Sequence, residues 1–172
     1  MLPRLFMVLG MACVSCSLRA ESLGDVHFPT SCKPGTQRTF DAGVALLHSF
    51  EFREAEASFR EVEKEDPKCV IAAWGVALST TERAGANAPQ KDLEKGWAEL
   101  QSWLTVRAGT DREQMYVDAV RAMYEGYATV PGSKRWGDYL AVMRELRTKY
   151  PDDINASLFY GLGLTWTAGP GE

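Results

Sequence analysis

The stretch "FEFREAEASFREVEKEDP", Phe50 to Pro67, decides how this chain is read. Ala55, Phe59 and Val62 recur at steps of three and four, with Glu54, Glu56, Arg60, Glu61, Glu63 and Lys64 largely opposite. That spacing gives an amphipathic α-helix with one apolar stripe. Pro67 stops it, because the residue before a proline is pushed out of the α region. The stretch shows no obvious chemistry, with no activated nucleophile, metal cluster or glycine loop, so what it carries is architecture.

Upstream, "TQRTFDAGVALLHSFEF" places Phe40, Val44, Leu47 and Phe50 at helical steps among small residues. Downstream, "KCVIAAWGVALSTTER" is apolar nearly all round, as a buried helix is, and "AGANAP" after it is a loop. "KDLEKGWAELQSWLTVR" spaces Leu93, Trp97, Leu100 and Leu104 as a helix ended by "AGTD". Thr110 or Asp111 can cap "REQMYVDAVRAMYEGYA", with Glu113 placed to reach back. "VPGSK" breaks that helix. "RWGDYLAVMRELRTKYP" is a further amphipathic helix stopped by proline, and "DDINASLFYGLGLTW" a mostly apolar one. No strand pattern occurs, and the expected fold is all-α with seven helices.

The first twenty residues stand apart. Arg4 precedes the apolar run Leu5–Val14, and Ala20 is a small residue before a cut, which reads as a secretory signal over residues 1–20. The run is too short to span a bilayer, which takes about 20 apolar residues. An alternative is a lipoprotein signal with the anchor on Cys13 or Cys16. Removal of residues 1–20 takes Arg4 and Arg19 and no acid, leaving 17 basic against 23 acidic residues and a net charge of −6. That balance argues against nucleic-acid binding, which needs a basic surface to replace phosphate counterions.

The two proline stops share a layout. "FREVEKEDPKCVIAAWGVAL" and "MRELRTKYPDDINASLFYGLGL" each run from an apolar stripe through a charged turn and proline into a small-residue-rich helix. In the first unit Gly43, Ala55, Phe59 and Pro67 fall at the signature positions of a 34-residue helix–turn–helix, and the stretch resembles a tetratricopeptide repeat. Units in phase start at Thr36, Val70, Val120 and Ile154, with an insertion placed over 83–90 and 108–111. Ala77 and Gly161 then correspond to Gly43, Pro151 corresponds to Pro67, and Tyr139 stands where the third unit needs a small residue. The signal and the "HFPTSC" lead-in are also similar to those of exported bacterial tetratricopeptide proteins of uncharacterised function.

The resemblance implies a right-handed α-solenoid of about three and a half antiparallel helix pairs over residues 36–172, after an extended lead-in over 21–35. Small residues let neighbouring helices approach, and stacked pairs share one core. The last helix lacks its second, so Leu158, Leu162 and Trp166 are expected to be partly bare, through truncation or for cover by another subunit. In such a stack the helices after Cys32 and Cys69 start side by side, so a Cys32–Cys69 disulfide is expected, clipping the lead-in onto the stack.

The same resemblance assigns a concave partner-binding groove. Gln37, His48, Trp74, Glu82, Arg121, Tyr124, Asn155 and Trp166 are its candidate contacts, beside Phe40, Val44, Leu47, Ile71, Leu78 and Leu158. Aromatic and arginine side chains are what binding hot spots favour. His27 and His48 are the only histidines, and no further ligands at metal spacing and no CxxCH haem attachment accompany them. Asp152, Asp153 and the acids of Glu61–Asp66 fall in turns or on solvated faces, which does not make a catalytic pair. The expectation is a non-catalytic exported scaffold that needs no cofactor and binds a peptide or protein. The alternatives are a helical binding or regulatory part of a larger exported enzyme continuing beyond residue 172, and a small-molecule or metal binder using the aromatic groove and His48.

Overall fold

The computed structural model describes residues 24–80 and 88–167. The expected signal with Cys13 and Cys16, Glu82 and most of the 83–90 insertion lie outside them. Among the described residues the fold is all-helical. A 3-10 turn at Pro34–Thr36 leads into α1 (Gln37–His48), α2 (Phe52–Glu65), α3 (Val70–Ser79), α4 (Gln90–Gln101), α5 (Asp111–Tyr124), α6 (Gly132–Lys149) and α7 (Ile154–Thr167). None of these helices is long and apolar enough to cross a membrane.

Each helix packs on the next, and α3 also packs on α1 and α5. The proline stops behave alike. Asp66 and Tyr150 close α2 and α6 with φ of −131° and −127°, the extended backbone a following proline imposes. Each donates its N–H to a carbonyl four residues back, and three residues later Cys69 and Asp153 donate to the carbonyls of Asp66 and Tyr150, both at 3.0 Å. Thr110 caps α5 in a full capping box with Glu113.

Phe59 sets the spacing of the first three helices. Its fully buried ring lies between Gly43 of α1 and Gly75 of α3, where an added Cβ would stand 2.8 and 2.5 Å from ring atoms. Ala55 and Ala77 are likewise buried in full. Gly161 does not repeat the role of Gly43, since a Cβ there meets nothing within 4 Å. The reason is positional: Gly43 receives its ring from the following helix, and among the described residues no helix follows α7. Gly163 is the close-packed glycine of α7, set against Tyr139 and Leu140 of α6.

The helix over 91–107 ends early, at Gln101. Residues 102–106 turn with three-residue hydrogen bonds, and Leu104, expected on the apolar stripe, is 43% exposed. Exposed Ile154 and Leu158 give α7 a partly bare face, while Leu162 and Trp166 are half-buried. The Cys32–Cys69 disulfide is present, with Cα atoms 5.0 Å apart.

Candidate functional site

Residues 24–33 carry no helix and run onto the faces of α1, α3, α5 and α7. Phe28 is the anchor. It has no exposed surface, and its ring lies 5.2 Å from Phe40, 5.4 Å from Trp74 and 4.8 Å from Tyr116. Phe159 meets Trp74 edge-on at 5.1 Å. The Arg112 guanidinium covers the Phe28 ring at 4.4 Å, a cation–π contact strengthened by its shielding from water.

Side chains then hold the lead-in by its backbone. The Asn155 amide donates to the His27 carbonyl at 2.9 Å, and the Phe28 N–H donates to Asp41 at 2.8 Å. Gln37 donates to the Phe28 carbonyl at 2.8 Å and accepts from the Thr30 N–H at 3.1 Å. Arg112 donates to the Pro29 carbonyl at 3.0 Å, the Ser31 N–H and hydroxyl both donate to Glu113, and the Lys33 N–H donates to Asp66 at 2.8 Å. Seven backbone groups between His27 and Lys33 are so satisfied, by helices far apart in sequence.

A charged anchor fixes this clamp. Arg112 pairs with Asp153 at 2.7 Å, their side chains 17% and 6% exposed, and Asp153 also accepts from the Tyr116 hydroxyl at 2.9 Å. Burial, and then the Asp153 charge, push the Tyr116 hydroxyl far above the ordinary phenol value. A 570 Å³ cleft flanks the lead-in between His27, Pro29, Arg112 and the α6–α7 turn.

Of the expected groove residues, the structure brings Gln37, Trp74 and Asn155 together here. Trp74 is 1% exposed, however, and meets the chain's own Phe28 rather than open solvent. Tyr124 is fully buried between α3, α4 and α5, its hydroxyl on the Ala77 carbonyl at 2.7 Å and the Thr80 hydroxyl at 2.8 Å. It is core and offers no groove surface. Phe40, Val44, Leu47, Ile71 and Leu78 are core as well. Arg121 lies beside Leu100 and Trp103, facing Glu125 at 3.5 Å, and Trp166 packs edge-on against Trp136 at 5.1 Å. Neither shares a hydrogen bond, ion pair or ring contact with the described lead-in residues.

His48 stacks on Phe159 at 4.6 Å, joining α1 to α7, and burial pulls its imidazole below the ordinary value. Its Nε2 is buried without a hydrogen-bond partner. Cys32, Asp66 and Cys69 group donor atoms of the kind that bind metals. Both sulfurs are bonded to each other, and the carboxylate holds the N–H groups of Lys33 and Lys68.

The site residues not foreseen are Phe28, Asp41, Asp66, Arg112, Glu113, Tyr116 and Phe159. The lone Phe28 of the "HFPTSC" lead-in was the available signal. With Cys32 tied to Cys69, that segment has to cross the first helices. Comparison with family models, curated proteins and solved structures finds no match to the chain.

Proposed function

We propose that this chain is a non-catalytic helical scaffold of the tetratricopeptide type, whose stacked helix pairs grip an extended peptide along their inner face. Its own lead-in is the resident ligand, and a partner segment enters by the same contacts. The observation that carries this is the handling of residues 27–33. Asn, Gln, Arg, Asp and Glu side chains from separate helices hold the backbone, while one aromatic side chain fills an aromatic cage. Backbone contacts give affinity for any extended chain, and the cage selects an aromatic residue. The matching proline stops support the repeat arrangement, and the disulfide supports an oxidising, exported setting.

The test uses full-length protein carrying Phe28→Ala and Cys32→Ser, which weaken the resident segment. It is titrated with a fluorescent peptide of residues 24–31. Saturable binding that competes with unlabelled peptide, and weakens when the peptide's phenylalanine becomes alanine, is expected. A flat titration with helical content intact refutes the reading.

A further inference from the structure

We infer that the Cys32–Cys69 disulfide is a redox latch on the inner face, and that its reduction releases the lead-in and opens the aromatic cage to a segment supplied in trans. The inference rests on the recognition proposed above and adds its control.

The geometry is that of a strap fastened at one point. Cys32 lies between the clamped residues 27–31 and Lys33, and its bond to Cys69 fixes the lead-in covalently at the start of α3. The other restraints from His27 to Ser31 are side-chain hydrogen bonds, ring contacts and the His27–Asp41 pair. Each hydrogen bond contributes only a small net share of stability. Such contacts break and re-form in local opening, whereas a covalent tie does not. With the tie cut, residues 24–32 hang from the 3-10 turn at Pro34–Thr36, and Phe28 can swing out as a unit with its neighbours.

The sulfurs are placed for one order of attack. Cys32 is half-buried, whereas Cys69 is 2% exposed. The reductant is a dithiol. Its first thiolate attacks the Cys32 sulfur, forming a mixed disulfide as the Cys32–Cys69 bond breaks and Cys69 leaves as thiolate. Cys69 is the N-cap of α3, where free backbone N–H groups and the helix dipole favour negative charge. The second thiol of the reductant then attacks its own sulfur in the mixed disulfide and expels the Cys32 thiolate. Both cysteine thiolates take up protons. Two electrons and two protons pass to the protein, and the reductant closes to a cyclic disulfide.

The opened face suits a replacement. Phe40, Trp74, Tyr116 and Phe159 leave an apolar cage, while Gln37, Asp41, Arg112, Glu113 and Asn155 stand ready to pair with backbone. A segment with an aromatic residue in extended backbone satisfies both.

The experiment compares full-length wild-type protein, oxidised and reduced by dithiothreitol, in two readouts. Amide exchange is followed at Phe28, Thr30 and Ser31, and the labelled 24–31 peptide is titrated. Reduction is expected to speed exchange at those amides at least tenfold, leave the α2 and α6 amides unchanged, and confer peptide binding. Full-length Cys32→Ser should match reduced wild type without responding to dithiothreitol, with Cys69→Ala as the second variant should the first misfold. Unchanged exchange on reduction overturns the latch. So does reduced wild type that takes no peptide while the Phe28→Ala, Cys32→Ser protein does, an outcome that leaves the recognition reading intact. Faster exchange with no peptide bound by either protein refutes the recognition and the latch with it.

Discussion

Replacing Gly75 and Gly161 by alanine should change stability in opposite directions. Both glycines lie inside helices, where alanine is intrinsically better by about 1 kcal/mol. At Gly161 a Cβ meets nothing within 4 Å, so that gain should appear nearly whole. At Gly75 the same carbon lands 2.5 Å from Phe59 ring atoms, more than 1 Å inside ordinary contact at about 3.5–4.0 Å. The ring has nowhere to go. Gly43 lies on its other side, so close that a Cβ added there would stand 2.8 Å from the ring, and Phe40 and Trp74 meet it edge-on at 5.2 and 6.1 Å. Overpacking costs about 1–3 kcal/mol, and against a ring held on both sides about 2–3 kcal/mol, which exceeds the propensity gain. A net loss of about 1–2 kcal/mol is expected, lowering Tm by about 2–8 °C for a chain of this size. Thermal unfolding under oxidising conditions reads it. Phe59→Leu should cost less in the Gly75→Ala background than alone, because the smaller side chain relieves the collision. If Gly75→Ala raises Tm as Gly161→Ala does, the ring between two glycines is not what spaces the first three helices.

Burial holds the His48 imidazole below its ordinary value, so the unfolded chain takes its proton first as pH falls. His48 therefore contributes a fall in stability on acidification from about pH 6.5, read as the difference in urea midpoint between wild type and His48→Phe, which keeps the stack on Phe159. That difference should change in favour of His48→Phe as pH drops. Glu63 behaves in the opposite sense: desolvation first, then the nearby Glu99 charge, push its carboxyl up to about 7. The stability from its protonated form is complete below its unfolded value of 4.5 and is lost as pH rises through 7. Glu63→Gln should therefore exceed wild type near pH 8.5 by roughly 1–3 kcal/mol, the advantage shrinking toward pH 4.5 in the same urea titrations. Arg112→Ala strands Asp153 and frees the Pro29 carbonyl, at a cost of about 3–5 kcal/mol in chemical denaturation. Arg112→Lys should recover little, because an ammonium cannot pair with Asp153, reach Pro29 and lie flat over Phe28 together.

The helices were legible because the sequence repeats its physics locally. Periodicity put Phe59 and Val62 on one stripe, and the prolines marked where α2 and α6 end. The disulfide is expected only through the stacking that the resemblance implies, which sets the starts of the helices after Cys32 and Cys69 side by side. Gly161 was misplaced because a register position predicts contact only when the element that fills it is there. Tyr124 is core rather than groove, and Trp74 reaches the site but lies under Phe28, for a related reason: helical period shows which face turns inward, not whether that face is already covered. The lead-in had no period to read. One phenylalanine among polar residues gives no sign of its destination, which is built from Phe40, Trp74, Tyr116 and Phe159 on four separate helices.

That destination explains why a short extended segment belongs to the core. α1, α3, α5 and α7 each contribute a large aromatic ring to one cluster, and without a cover over it those rings would meet water. Phe28 removes that cost from within the chain, and truncating a fully buried phenylalanine typically forfeits about 3–5 kcal/mol. A filler made of backbone also needs its N–H and C=O groups satisfied, since burying them unpaired is costly. Hence amides, carboxylates and one guanidinium ring the cage, where a purely structural plug made from a helix would have needed none of them. Polar groups arranged to receive an extended backbone are the same groups that would receive another chain's backbone. The structural role and the proposed binding role therefore use one set of contacts, and what separates them is whether Cys32 remains tied to Cys69.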